Sequence, residues 1–128
     1  MATMTKRAKI LVVDDSELSV EILHAKLSDR YDIVSTNTSA NALKLAREVQ
    51  PDLILCDLDM PEMDGAEVSE ALRTDDELRE IPLLFLTALA SSGDLLRMRK
   101  QLGGRPAVSK DAPLAQLVAR IEALLKTG

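Results

Sequence analysis

Aromatic side chains are almost missing from this 128-residue chain, which has no tryptophan, one tyrosine (Tyr31) and one phenylalanine (Phe85). Nucleic-acid surfaces rely on basic faces, and single-strand binders also on stacking rings. With two rings and a formal net charge of −5, this segment is not expected to bind nucleic acid. A single cysteine, Cys56, excludes an internal disulfide. Set in an apolar run, it reads as a reduced, buried strand residue of a cytoplasmic protein. No apolar run approaches the ~20 residues of a membrane-spanning helix. Ile10–Val13, after Lys6, Arg7 and Lys9, is too short for the apolar region of a signal peptide. Nor is there a glycine-rich nucleotide loop; Gly103-Gly104 reads as a helix end before a strand. The lone histidine, His24, sits among charged neighbours and reads as a surface residue, and the five methionines form no stripe. What is present is ordinary for one soluble domain with a real core: 46% hydrophobic and 29% charged residues.

Strand and helix signals alternate five times without a long linker or an internal repeat. The strand-like runs are Lys9–Asp14, Asp32–Thr36, Leu53–Asp57, Pro82–Thr87 and Pro106–Ser109. Helix-like stretches of about a dozen residues separate them, which predicts a parallel sheet covered on both faces. Ser16, Ser39 and Ser92 are the expected N-caps, with Asp111 before Pro113 as a fourth. In the last helix Leu114, Leu117, Val118, Ile121, Leu124 and Leu125 repeat at helical spacing as one apolar stripe.

The most informative stretch is Cys56-Asp57-Leu58-Asp59-Met60-Pro61-Glu62-Met63-Asp64-Gly65. It follows the buried-strand run Leu53-Ile54-Leu55, so Asp57 falls at or just past a strand's C-terminal end. Pro61 and Gly65 then turn the chain. A carboxylate at that edge needs a metal, a cation or solvent, because burying it unpaired costs several kcal/mol. Three other runs end in matching chemistry: Ile10–Val13 in Asp14-Asp15, Leu83–Leu86 in Thr87, and Ala107–Ser109 in Lys110. Open parallel α/β sheets bind ligands outside the carboxyl ends of their strands, so these groups are expected to meet in one crevice.

This set, in this order and one strand cycle apart, resembles the receiver domain of two-component response regulators from about Lys9 to Leu125. The resemblance implies a doubly wound (βα)5 flavodoxin-like sandwich whose five parallel strands run 2-1-3-4-5. It implies an N-terminal tail over residues 1–8 and a receiver domain over 9–126. It also implies a signalling domain rather than an enzyme: Asp57 accepts a phosphoryl group from a sensor histidine kinase or phosphotransfer protein, and partner interactions then switch. Asp15 and Asp57 are expected to bind Mg²⁺ directly, Asp14 through water, and Asp59 through its backbone carbonyl. Carboxylates about 5 Å apart repel by about 3 kcal/mol at an effective dielectric of ~20, which a hard divalent cation relieves. Lys110 neutralises charge on the transferring group and Thr87 donates its hydroxyl to a phosphoryl oxygen. The Asp59 side chain, two residues beyond the nucleophile, is expected to tune metal affinity or the lifetime of the acyl phosphate.

Two positions depart from the family. An aromatic commonly precedes the lysine by three residues, and here that residue is Ala107; a proline usually follows the lysine through a cis peptide, and here Asp111 follows. A cis bond without proline costs about 3 kcal/mol, so this loop is expected to be trans or strained. These changes bear on the output switch and leave the phosphoryl chemistry intact. One alternative is a haloacid-dehalogenase-like phosphatase, which Asp57-Leu58-Asp59 also resembles, although that family places further acids after its lysine. Another is a receiver-like interaction module that is not phosphorylated. For output, a helix over 92–102 would turn Leu95, Met98 and Leu102 to the sheet. It would show Leu96 amid Arg97, Arg99 and Lys100, a patch expected to dock a second copy or an acidic downstream protein.

Overall fold

Five short apolar runs pair in parallel as one sheet of order β2-β1-β3-β4-β5. The computed structural model describes residues 7–58, 65–88 and 106–127. Its elements are β1 (Lys9–Val13), α1 (Glu17–Leu27), β2 (Asp32–Thr36), α2 (Ser39–Val49), β3 (Leu53–Asp57), α3 (Gly65–Arg73), β4 (Leu83–Thr87), β5 (Ala107–Ser109) and α4 (Leu114–Thr127). The predicted strands are therefore present, with Asp14, Pro82 and Pro106 just outside them. The proposed output helix over 92–102, the Gly103-Gly104 helix end, the Ser92 cap and Asp59 all lie outside the described residues.

β3 and β4 are buried at every position, because helices cover both faces of the sheet. The two-residue period of the strands divides the core. Leu11, Val13, Ile54, Cys56, Leu83 and Phe85 pack with Ala42, Ala46, Val68 and Leu72 of α2 and α3. Ile10, Val12, Leu53, Leu55, Leu84, Leu86 and Val108 pack with Leu23, Leu27, Leu117 and Ile121 of α1 and α4. The α4 stripe is buried at Leu117 and Ile121, but its first member, Leu114, stands at the surface.

Helix ends follow ordinary capping chemistry, with two corrections. Ser16 caps α1 by accepting from the Ser19 N–H. The cap of α2 is Thr38, not Ser39: its hydroxyl accepts from the Asn41 N–H, and its backbone is extended, as an N-cap requires. Asp111 is not the cap of α4. Its N–H donates to Ser109 Oγ, and the helix begins later, with the Gln116 and Leu117 N–H groups on the Pro113 carbonyl. At the other end of α2, Gln50 adopts a left-handed conformation (φ 51°) and donates to the Ala46 carbonyl, and Pro51 bars further helix. The basic residues near the start act structurally: Arg7 donates to the Ser28 and Asp29 carbonyls beyond α1, and Lys9 Nζ to Val49.

Tyr31, buried just before β2, donates its hydroxyl to the Glu122 carboxylate of α4, 91 residues away. Burial and that acceptor push the phenol above its ordinary range. Tyr31→Phe keeps the ring and deletes a hydrogen bond to a charged acceptor that regains water. It is expected to cost about 1–2 kcal/mol, read as a lower urea midpoint at unchanged m-value.

Candidate functional site

Strand order and register bring the polar strand ends together before any side-chain interaction is considered. The chain lays β2 on one side of β1 and β3 on the other, so a crevice opens where β1 and β3 end. Val13 pairs with Cys56, and the next residues in the chain are Asp14, just past β1, and Asp57, the last of β3. Thr87 pairs with Ser109, and the Lys110 N–H donates to the Thr87 carbonyl at 2.8 Å. That bond holds Lys110 one residue past the end of β5, from where its Nζ stands 3.1 Å from Asp57 Oδ1 and 3.7 Å from Asp14 Oδ2. Asp57 and Thr87 are each the last residue of their strand, and both are buried.

Asp14, Asp15 and Asp57 each place a carboxylate oxygen within 4.8 Å of the others; Asp15 is exposed and the other two are buried. Asp14 Oδ1 accepts the Ser16 N–H, whereas its Oδ2 is buried without a hydrogen-bond partner. A buried carboxylate oxygen without a hydrogen-bond partner, grouped with two further carboxylates, is the donor set of a hard divalent cation, so these residues fit such an ion. Asp14, Asp15, Asp57, Thr87 and Lys110 thus all reach one sheet edge. The Lys110–Asp111 bond is trans, there being no cis peptide among the described residues. Ser109, which the sequence reading did not single out, shapes this loop through its hydroxyl. Its only sequence signal is a hydroxyl residue two positions before a loop residue, the spacing of a serine turn. Ala107 is partly buried against the α2–α3 core and pairs in register with Phe85.

Burial raises the Asp14 carboxyl from 3.8 to about 6, against the Ser16 N–H, which lowers it; Asp57 adds to the rise and Lys110 opposes it. Burial, then the same carboxylates, pushes the Cys56 thiol up to about 12, so this cysteine is inert packing. The sign for stability follows from proton binding. With its pKa raised, Asp14 holds a proton in the folded state at pH values where the unfolded chain has lost it. Metal-free stability therefore rises as pH falls from about 6 towards 3.8. Asp14→Asn removes this dependence. In chelator, wild type is expected to gain about 2 kcal/mol on Asp14→Asn between pH 7.5 and pH 4, measured by urea unfolding. A constant difference would show that Asp14 does not carry the raised proton affinity.

Among the described residues no helix is long and apolar enough to cross a membrane. The family model of the response regulator receiver domain matches residues 10–122. The polar-differentiation response regulator DivK of Brucella anthropi is 38% identical over 117 residues, covering 91% of this chain and 94% of that protein. DivK of Brucella ovis is 37% identical over 123 residues, covering 95% and 98%. Among solved structures, the chemotaxis protein CheY4 of Vibrio cholerae superposes with a TM-score of 0.81 at 27% identity over 93% of this chain and 99% of that one. The signal receiver domain of a signal transduction histidine kinase from Syntrophus aciditrophicus gives 0.80 at 30% identity over 94% and 91%. A sheet of order 2-1-3-4-5, an acidic crevice at the ends of β1 and β3 with a lysine reaching into it, and these matches lead to one conclusion: the chain belongs to the response regulator receiver domain family.

Proposed function

We propose that this receiver takes a phosphoryl group onto Asp57 from a sensor histidine kinase or phosphotransfer protein, and that the modification switches its association with other proteins. The observation that carries this reading is the 3.1 Å contact of Lys110 Nζ with the buried Asp57 carboxylate, beside two more carboxylates. An Asp57 oxygen attacks phosphorus, the phosphorus–nitrogen bond to the donor's histidine breaks, and its electron pair returns to the imidazole. Lys110 follows the charge onto the phosphoryl oxygens, and the Thr87 hydroxyl donates to one of them. Asp14, Asp15, Asp57 and the carbonyl of Asp59 would hold Mg²⁺, which supplies further positive charge when bound. Residues 9–126 are proposed as the working domain in a cytoplasmic protein; Arg7, just before them, is already pinned to the end of α1. The segment over 92–102 is proposed to carry the output contact with a second copy or a downstream partner.

The test is intact mass after incubation with acetyl phosphate and Mg²⁺. One phosphoryl group per chain is expected, and none when the metal is chelated. Uptake that stops at one per chain describes a signalling domain rather than an enzyme. Repeated turnover of a simple phosphomonoester would instead favour the haloacid-dehalogenase-like alternative, whose further acids follow its lysine. Here the acids grouped with Asp57 precede it in the chain.

A further inference from the structure

A cleft of about 220 Å³ lies between α1 and the loop that leads from β5 into α4, directly beside the acidic crevice. Its lining combines the charged Asp14, Lys26, Lys110 and Asp111 with the apolar Ile22, Leu114 and Leu117. The described residues contain three exposed large hydrophobics, Leu18, Ile22 and Leu114, and two of them line this cleft. Apolar surface left open in a concave site, with a few charged groups in its lining, is the ordinary composition of a small-molecule pocket.

Resting on the reading of Asp57 as phosphoryl acceptor, we propose that this cleft receives the leaving group of a small acyl phosphate and favours an aromatic acyl group over acetyl. The transfer balances without a proton. A bond forms between an Asp57 oxygen and phosphorus, the bond from phosphorus to the acyl oxygen breaks, and both electrons leave with the carboxylate. The departing carboxylate then carries negative charge in a cleft whose lining holds the Lys26 and Lys110 ammoniums alongside the Asp14 and Asp111 carboxylates, so the apolar walls rather than net charge set the preference. Its ring lies between Ile22, Leu114 and Leu117, where a methyl group would leave most of the walls uncovered. Size agrees, since apolar cavities of roughly 150 Å³ take up benzene.

Initial rates of Asp57 phosphorylation are to be compared with acetyl phosphate and benzoyl phosphate at equal, subsaturating concentrations with Mg²⁺. Wild type is expected to react about tenfold faster with benzoyl phosphate, from the extra apolar surface covered. The double change Ile22→Ser, Leu114→Ser, at two exposed positions outside the reacting groups, should hold the acetyl phosphate rate within about twofold and abolish the preference. Benzoate, but not acetate, should slow the reaction of wild type with acetyl phosphate, a readout that needs no variant. Equal wild-type rates would mean that the cleft serves protein donors alone, and would overturn the proposal. So would a preference that survives the double change, or equal inhibition by the two carboxylates. Failure of both donors to modify Asp57 would overturn the phosphoryl-acceptor reading together with this one, whereas the ratio between donors bears on the cleft alone.

Discussion

Asp57→Asn is expected to take up no phosphoryl group and yet to be the more stable protein when metal is absent. The amide has the shape of the carboxylate but no anionic oxygen, so the acyl phosphate cannot form. Its stability effect comes from the crowding of charge. Asp57 lies with Asp14 and Asp15 inside a 4.8 Å group, and Asp57 and Asp14 are both buried. Relief of one like-charge pair at that range is about 3 kcal/mol at an effective dielectric of ~20. Lys110 loses its 3.1 Å partner in exchange, which offsets part of this gain. The net expectation is about 1 kcal/mol of added stability in chelator at pH 7.5, with much weaker stabilisation by Mg²⁺ than in wild type. Urea unfolding with and without Mg²⁺ measures both effects, and intact mass measures uptake. Modification of Asp57→Asn at the wild-type rate would remove Asp57 from its assigned role.

Lys110→Met is expected to slow phosphorylation by acetyl phosphate by about 10²–10³-fold, the cost of losing one preorganised charge at a phosphoryl group. Methionine keeps the length and apolar stem, so the loop after β5 should persist through the Lys110 N–H bond to Thr87, which involves no side chain. Without the ammonium, the repulsion between Asp14 and Asp57 is no longer relieved by Lys110. The Asp14 carboxyl, already raised to about 6, should then move higher, because Lys110 is one of the groups that lower it. The metal-free variant should lose stability at pH 7.5 and recover it on addition of Mg²⁺, which restores positive charge but not the slowed transfer. Single-turnover rates within about threefold of wild type would show that Lys110 is not the neutralising group.

Much of this site was legible before any coordinates, because a parallel sheet turns strand order into position. Asp57 and Thr87 each end an apolar run, and Asp14 and Lys110 each follow one; period-two burial and parallel pairing then had to bring those ends to one edge. The α4 stripe was equally plain in its spacing, since Leu117 and Ile121 face the sheet wherever the helix begins. The missed cap of α2 was a local choice between neighbouring residues. Thr38 and Ser39 both carry a hydroxyl, and only the extended backbone at Thr38 selects it.

By itself the sequence determined the family, the alternation of strands and helices, and the residues that crowd one edge, because each is written in short-range periodicity and order. Tertiary structure alone decided the rest. The Tyr31–Glu122 bond joins residues 91 apart, and Arg7 reaches the carbonyls beyond α1 across more than 20 positions; no local pattern encodes either contact. The orphaned Asp14 oxygen depends on how deeply the crevice closes, and the raised carboxyl follows from that burial rather than from the Asp14-Asp15 pair as read in sequence. The apolar cleft exists because α1 and α4 pack on the same face of the sheet while Ile22 and Leu114 stay outside the contact. Helical spacing had placed Leu114 on the apolar stripe of the last helix, and only the relative placement of two helices could leave it at the mouth of the site.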